Sequence, residues 1–393
     1  MDFEEKREKA AKWVEIDLDA LAYNMKNIRK KVGDDVRIAA VVKANAYGHS
    51  AEDTISTLLE SGADQFAVSC LDEALELRGY APDKDILVLG NIPYGTEEES
   101  VVADIQHAVT SYEKASLLSD AAVKLGKTAR IHIKVDTGMT RIGFSPDEEG
   151  IAEVVKISRL PGVKLEGLFT HFATADEADK SKAIRQYQRY TDFAKRLSEK
   201  GVDIEWRHAA NSAAIMEMPD THCDMVRPGI ILYGIYPSAE VDRSQLDIRP
   251  VMSFKTRIVH VKTLKENREV SYGGHYLASE GDQIGTIAVG YADGYTRAQS
   301  GKAEVLFRGK RVKVLGNICM DQCMVDLSGF SDVKIGEEVV LIGRQGEEFI
   351  SADEVGERYH TIGYEVVCAV NRRVPRFFVK NNNVIFERNY LEK

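Results

Sequence analysis

The chain has 393 residues, of which 44% are hydrophobic and 29% are charged, which is typical of a globular protein long enough for two domains. Its formal net charge of −10 argues against nucleic acid or an anionic membrane surface as a partner. No apolar run approaches the length of a membrane span, and the charged segment 1–9 lacks the apolar stretch of a secretory signal peptide.

Residues 36–234 alternate short apolar runs with longer amphipathic stretches, which is the pattern of repeated strand–helix units. Strands are predicted at 37–42, 65–69, 85–89, 106–110, 130–135, 165–170, 204–208 and 223–227. Helices are predicted between them at 72–78, 113–125, 148–158 and 179–200, and only the short segment 211–216 follows the seventh strand. Eight strands alternating with helices predict a TIM-like (β/α)8 barrel.

The pattern changes after residue 234. Residues 236–250 have no clear period and contain two prolines, which indicates a linker. Strands are predicted beyond it at 251–262, 283–288, 303–307, 313–315, 323–325, 338–342 and 365–370, with one helix at 351–359. The sequence therefore predicts an α/β fold with a barrel at 18–240 and a mainly-β C-terminal domain at 241–393. A strand within residues 1–17, at 13–17, is expected to pack with the β domain.

The first predicted barrel strand ends at a lysine, Lys43. Functional residues of (β/α)8 enzymes lie at the carboxyl ends of the strands. A buried lysine whose pKa is lowered is the kind that forms Schiff bases with carbonyl compounds. A lone lysine at this position would more often extend its amine to solvent.

Other predicted strand ends also carry reactive or ligand-binding side chains. In chain order these are Lys134, Asp136, Arg141, His171, His208, Asn211, Ser212, Arg227, Gly229 and Ile230. The loops after strands seven and eight of such barrels often bind a phosphate, and an Asn-Ser pair and a Pro-Gly-Ile turn supply hydroxyl and amide donors for one. Each residue alone has an ordinary explanation, such as a core histidine, an ion-paired arginine, a surface pair or a helix N-cap. Their common position favours a site.

The segment Lys43-Ala-Asn-Ala-Tyr47-Gly-His resembles the cofactor-lysine motif of the alanine racemases, which are barrel-fold enzymes dependent on pyridoxal 5′-phosphate (PLP). The resemblance extends over most of the chain and includes Ser271-Tyr272-Gly273 and the run 317–322. It implies that Lys43 carries PLP and is one of two acid/base groups, with Tyr272 as the second on the opposite face of the substrate. A tyrosine ordinarily titrates near 10, and His171, linked to Arg227, is implied to help it act as a base.

The resemblance also implies the remaining contacts of the site. Arg227 is expected to donate to the pyridine nitrogen, which leaves that nitrogen largely unprotonated and suits proton exchange better than transamination. Arg141 and the backbone amide of Met320 are expected to bind the substrate carboxylate, and Lys134 is a candidate for carbamylation. The residues expected to bind the cofactor are Lys43, Tyr47, His208, Asn211, Ser212, Arg227, Gly229, Ile230 and Tyr364.

The function implied is interconversion of L- and D-alanine by a homodimer with active sites shared between subunits, supplying D-alanine for peptidoglycan. A serine or broad-specificity amino-acid racemase is the alternative. Arg227 argues against a PLP-barrel decarboxylase, which places a carboxylate at the pyridine nitrogen, and the β domain with Tyr272 argues against a non-catalytic, single-barrel PLP-binding protein. The five scattered cysteines favour a cytoplasmic location, and no metal site is expected because Cys319 and Cys323 lack partner ligands at zinc spacing.

Overall fold

The computed structural model describes residues 2–392 and divides the chain into two compact units. One unit is Ala22–Ile248, and the other combines the segment ending at Leu21 with the segment beginning at Arg249. Within residues 2–392, no helix is both long and apolar enough to cross a membrane.

Eight parallel strands form the barrel of the unit Ala22–Ile248. In chain order they are Arg37–Val41, Gln65–Val68, Ile86–Val88, Gln106–Val109, Ala129–Lys134, Val163–Phe169, Trp206–His208 and Met225–Val226. The eighth strand pairs with the first, and backbone bonds from Asp224 to Arg207 and from Arg227 to Ala210 link it to the seventh, which leaves the barrel nearly closed. The predicted (β/α)8 barrel is confirmed.

One helix precedes the first of these strands and the others lie between them, and their ends follow local sequence chemistry. They are Leu18–Val32, Ala51–Glu60, Leu71–Tyr80, Glu97–Val102, Tyr112–Leu125, Glu148–Ile157, Ser181–Glu199 and Ser212–Glu217. The helix Tyr112–Leu125 begins at Ser111, whose side chain accepts from the Lys114 amide, and ends at Gly126 in the left-handed conformation. Helix Ser181–Glu199 turns Ala183, Gln186, Tyr190, Phe193 and Leu197 inward, the three-and-four spacing of one buried face.

The second unit is built on a ten-stranded sheet and a two-stranded hairpin. Its strands are Lys12–Asp17, Met252–Thr263, Arg268–Val270, Tyr276–Ala278, Gln283–Ile287, Glu304–Phe307, Lys310–Leu315, Cys323–Asp326, Glu338–Gln345, Glu348–Ile350, Arg376–Lys380 and Asn383–Arg388. Strand Lys12–Asp17 pairs antiparallel with Met252–Thr263 and parallel with Arg376–Lys380. The expected mainly-β domain is therefore present, and its sheet includes the strand expected near the N-terminus.

One strand prediction in this unit is wrong. Residues 365–370 contain the valines Val366 and Val367, which favour a strand, but the segment Gly363–Cys368 is a helix that buries Gly363, Val366 and Val367 on one face. That three-and-four spacing overrides the β-propensity of two residues. The sequence pattern also failed to predict the two strands of the hairpin, the strand Glu348–Ile350, the last two strands and the helix Phe3–Lys9. The predicted helix at 351–359 is present as Ala352–Glu357.

Candidate active site

Lys43 begins a left-handed turn at the carboxyl end of the first barrel strand. Ala44, Asn45 and Ala46 have φ between 52° and 53° and ψ between 48° and 52°, and Tyr47 has φ of 53°. A residue with a side chain loses about 1–2 kcal/mol in this conformation, so four in succession hold several kcal/mol of strain. Strain of this size, next to a lysine at a strand end, is typical of a functional position.

Side chains from neighbouring segments hold this turn. Glu73 accepts from the Ala44 amide at 2.6 Å with one carboxylate oxygen and from the Ser69 amide at 2.8 Å with the other. The Asn45 side chain accepts from the Ala51 amide at 2.9 Å. The turn is thereby fastened to the end of the second strand and to the start of the next helix, so the position of Lys43 is set by three parts of the barrel.

Tyr47, at the end of the same turn, lies at a cluster of oxyanion donors. The Gly229 amide donates to the Ser212 hydroxyl oxygen at 2.9 Å. A Cβ atom placed on Gly229 would lie 2.8 Å from the Tyr47 hydroxyl and 3.8 Å from the Ser212 hydroxyl, so only glycine permits this approach. Two hydroxyls and one amide within this space form a cradle of the kind that binds phosphate.

Arg227, on the loop after the eighth strand, is buried and makes hydrogen bonds to neutral acceptors. It donates to the backbone oxygens of Thr170 and Ala209 at 2.8 and 3.1 Å, and to His208 Nδ1 at 2.9 Å. Burial lowers the pKa of Arg227 to about 10, so the guanidinium stays charged at neutral pH. A buried cation without a carboxylate partner is costly unless a ligand uses it.

The hydrogen bond from Arg227 fixes the tautomers of two buried histidines. Burial holds the pKa of His208 well below its ordinary value and lowers that of His132 to about 4, so both rings are neutral. Because Arg227 can only donate, His208 accepts at Nδ1 and carries its proton on Nε2. That proton is donated to His132 Nδ1 at 2.9 Å, which gives a directed chain from the arginine into the barrel core.

His171 lies at the other side of Arg227, with 3.4 Å between its Nδ1 and the guanidinium. Burial, followed by the charges of Arg227, Arg141, Lys134 and Lys43, lowers the pKa of His171 well below its ordinary 6.5. The neutral ring accepts at Nδ1 and therefore carries its proton on Nε2. The concentration of positive charge also favours an anionic ligand at this end of the barrel.

Lys134, at the end of the fifth strand, is almost fully buried. Its alternation with Asp136 along the strand was also compatible with a surface position, and the structure excludes that interpretation. Its amine donates to the Val135 oxygen at 2.8 Å and lies 5.5 Å from the centre of the Phe169 ring. Burial, and then the charge of Arg227, lowers the pKa of Lys134 to about 7. A considerable share of the amines is therefore neutral, and hence nucleophilic, at physiological pH.

Two predicted residues of this barrel end have ordinary structural contacts. Asn211 accepts from the Ala214 amide at 3.1 Å and is thus the N-cap of the helix Ser212–Glu217. Ile230 is completely buried at the start of the short helix Ile230–Tyr233. Both still flank the cradle at Ser212 and Gly229 in sequence, and their cofactor contacts remain predictions.

Arg141 is exposed on the segment after the fifth strand, and its substrate contact remains a prediction. The remaining predicted site residues belong to the second unit. Tyr272 and Met320 are exposed, at 72% and 52%, and Tyr364 lies on the helix Gly363–Cys368. Ser271, directly before Tyr272, has φ of 70° and ψ of −176°, a conformation that is essentially restricted to glycine. The second unit therefore also has backbone strain at a residue adjoining a predicted acid/base group.

Comparison with known proteins identifies the family. The family profiles described as "Alanine racemase, N-terminal domain" and "Alanine racemase, C-terminal domain" match residues 16–237 and 251–378. The chain belongs to the alanine racemase family. The alanine racemase of Clostridium perfringens (strain SM101 / Type A) is 48% identical over 379 residues, which cover 96% of this chain and 98% of that protein.

Solved structures of alanine racemases resemble the whole chain. The enzyme of Clostridium difficile 630 is 41% identical and superposes with a TM-score of 0.94, covering 98% of this chain and 99% of that one. The alanine racemase of Bacillus anthracis with bound L-Ala-P is 40% identical, with a TM-score of 0.91 over 97% of this chain and 98% of that one.

Sequence analysis missed two residues that shape the candidate site. His132 completes the chain of hydrogen bonds from Arg227, and Glu73 holds the turn at Lys43. His132 was detectable, because it alternates with Lys134 on one face of a predicted buried strand and is polar. Glu73 had no such signal, since it is one acidic residue among several on an exposed helical pattern.

Proposed function

We propose that this protein interconverts L- and D-alanine with PLP as cofactor. The observation that carries the proposal is the turn Lys43–Tyr47, which places a strand-end amine and a hydroxyl of the oxyanion cradle four residues apart in a strained, well-anchored segment. Membership of the alanine racemase family supports the same activity.

The residues present fit PLP. The cradle of Tyr47, Ser212 and Gly229 offers two hydroxyls to a phosphate, one of them oriented by the Gly229 amide, and a Cβ at Gly229 would fill it. The hydrogen bonds that Arg227 donates to His208 and Thr170 go to neutral acceptors. A pyridine nitrogen is a neutral acceptor of the same kind, so it suits a further N–H of this guanidinium. When bound through Lys43, PLP supplies an electron sink that acidifies the α-proton of the substrate. His208, Asn211, Ile230 and Tyr364 complete the proposed cofactor contacts.

Lys43 and Tyr272 are proposed to move the α-proton on opposite faces of the substrate. Tyr272 takes it from L-alanine on one face, and Lys43 returns a proton on the other, with the roles exchanged for D-alanine. His171 is proposed to donate a hydrogen bond from Nε2–H to the Tyr272 phenolate oxygen, since Arg227 fixes that tautomer.

Arg141 and the Met320 amide are proposed to bind the substrate carboxylate. Lys134 is a proposed carbamylation site, because the low pKa of its amine leaves a nucleophile for carbon dioxide at neutral pH. A carbamate would carry negative charge among these cations and would pair with Arg141.

The activity is tested with purified protein. Loss of optical rotation of L-alanine without release of carbon dioxide, together with borohydride trapping of PLP on Lys43, is the expected result. An unmodified Lys43 peptide after reduction would refute the assignment of the cofactor lysine. Comparison of kcat/KM for L-alanine and L-serine separates an alanine racemase from a serine or broad-specificity racemase.

We propose that the protein is a head-to-tail homodimer in which Tyr272 of the partner subunit enters each barrel. Inactive Lys43→Ala and Tyr272→Phe chains, refolded together in equal amounts, should form mixed dimers about half the time, each with one intact site, so about a quarter of the wild-type activity should return. No recovery in a confirmed mixed dimer would rule out shared sites.

A cytoplasmic location and a supply of D-alanine for peptidoglycan complete the proposal. Cys70, Cys223, Cys319 and Cys323 are free thiols, which favours a reducing compartment. Cell fractionation, and rescue of a D-alanine auxotroph by the expressed chain, test these two points.

A further inference from the structure

The backbone before Tyr272 is strained without being glycine. Ser271 has φ of 70° and ψ of −176°, and Gly273 and Gly274 also have positive φ, of 78° and 57°. Non-glycine residues in this region are uncommon and persist where surrounding contacts force them. Because the Tyr272 ring is 72% exposed, packing within its own chain does little to direct it, and the backbone of this turn must do so.

Asn317 makes the contacts that force the turn. Its side-chain amide donates to the Tyr272 backbone oxygen at 2.6 Å, and its backbone oxygen accepts from the Ser271 hydroxyl at 2.6 Å. The hydrogen bond from the Ser271 hydroxyl explains why residue 271 is serine and not glycine. The preceding residue, Gly316, lets the two segments approach, because a Cβ there would lie 2.5 Å from the Val270 oxygen.

We propose that Asn317 is a positioning residue for Tyr272. By holding the carbonyl of Tyr272 and the hydroxyl of Ser271, it fixes the direction in which the phenol leaves the turn. Asn317 lies three residues before Met320 in the chain. The same segment therefore contacts the acid/base tyrosine and carries the amide proposed to bind the substrate carboxylate. The inference rests on the proposed function, in which Tyr272 exchanges a proton with one face of the substrate.

A positioning role and a general structural role predict different results. If Asn317 only stabilised the β unit, its loss would lower proton exchange on both faces of the substrate alike. If it positions Tyr272, the loss falls on one face, because Lys43, which acts on the other face, belongs to the other compact unit. Misplacement of a catalytic group by about 1 Å costs on the order of 100-fold in rate.

The experiment measures α-deuterium exchange from solvent into L- and D-alanine by the PLP-loaded protein. In Asn317→Ala, exchange into L-alanine should fall by about 10- to 100-fold while exchange into D-alanine persists. Asn317→Asp keeps the shape but removes the donor, so it should show the same selective loss. Ser271→Gly removes the hydroxyl and relieves the strain, and should give a smaller loss with the same selectivity.

Asn383→Ala is the matched control. Asn383 also donates from its side-chain amide to a backbone oxygen, that of Asn381 at 2.9 Å, in the hairpin between the last two strands. This variant should exchange both enantiomers as the wild type does. Amide hydrogen exchange of the peptide 270–275, followed by mass spectrometry, should become faster in Asn317→Ala and remain unchanged in Asn383→Ala.

Two results would overturn the inference, namely equal losses for the two enantiomers in Asn317→Ala, or wild-type exchange in Asn317→Asp. Tyr272→Phe, measured in parallel, separates this failure from failure of the proposed function. Wild-type exchange into L-alanine by Tyr272→Phe would reject both. Selective loss in Tyr272→Phe without selective loss in the Asn317 variants would reject only the positioning role.

Discussion

Replacement of Gly229 by alanine tests the oxyanion cradle directly. The new Cβ would lie 2.8 Å from the Tyr47 hydroxyl, a separation that real Cβ atoms essentially never show, and 3.5 Å from the ring carbon that bears it, which is an ordinary contact. The clash is therefore with a single oxygen atom. Gly229 has φ of −118°, so the substitution brings crowding and no left-handed strain.

Crowding of this kind destabilises a packed site by about 1–3 kcal/mol. For a unit of this size, each kcal/mol lowers Tm by about 2–4 °C, so Gly229→Ala should melt about 2–12 °C below the wild type. In a Tyr47→Phe background the clashing oxygen is absent and the ring still packs at a tilt against Tyr233, with 5.1 Å between ring centres. There the same substitution should cost at most about 0.5 kcal/mol.

The assay is a double-mutant cycle on cofactor-free protein, with Tm measured by circular dichroism for the wild type, both single variants and the double variant. A coupling of about 1 kcal/mol or more is expected between the two positions. The affinity for PLP, measured by equilibrium dialysis, should fall in both single variants, since each removes a cradle donor or displaces one. If Gly229→Ala lowers Tm equally with and without the Tyr47 hydroxyl, the cradle geometry is wrong.

Three further predictions concern the charged residues of the barrel. Lys43→Ala should abolish both borohydride-trapped PLP and racemisation, and trapping at an unchanged level would place the cofactor on another lysine. Arg227→Glu should slow racemisation and raise transamination of alanine, measured as pyruvate, because a carboxylate keeps the pyridine nitrogen protonated, and an unchanged product ratio would contradict this. Burial lowers the pKa of Lys134 to about 7, whereas an unfolded lysine titrates near 10.5, so the unfolded chain binds the extra proton between these values and stability should rise with pH across that window. Lys134→Met should flatten this rise in Tm between pH 7 and 10 in bicarbonate-free buffer, and an unchanged rise would assign it to another group.

The sequence by itself determined the two architectures and the strand ends that carry the site. Alternating apolar runs and amphipathic stretches predict a (β/α)8 barrel, because each strand must bury its side chains and each helix needs one apolar face. Polar residues directly after those strands, among them Lys43, His171 and Arg227, then fall at one end of the barrel whatever the details of packing. The roles of these residues came from a contiguous motif, which composition and periodicity could not supply.

Only the tertiary structure decided which of these side chains meet. His132, His208 and Arg227 lie on or after the fifth, seventh and eighth strands, and their hydrogen-bonded chain depends on the register at which the barrel closes. The same closure buries Lys134 and lowers the pKa of its amine. The alternation of Lys134 with Asp136 in the sequence could not distinguish this buried position from a surface one.

Contacts between distant side chains and backbone groups were equally invisible in the sequence. Glu73 holds the amide of Ala44, and Asn317 holds the carbonyl of Tyr272 from 45 positions away. Such bonds follow no period, because any donor or acceptor that the fold brings within reach can make them. The left-handed turn after Lys43 depends on them too, since its alanines and asparagine would not adopt that conformation without neighbours that compensate for the strain.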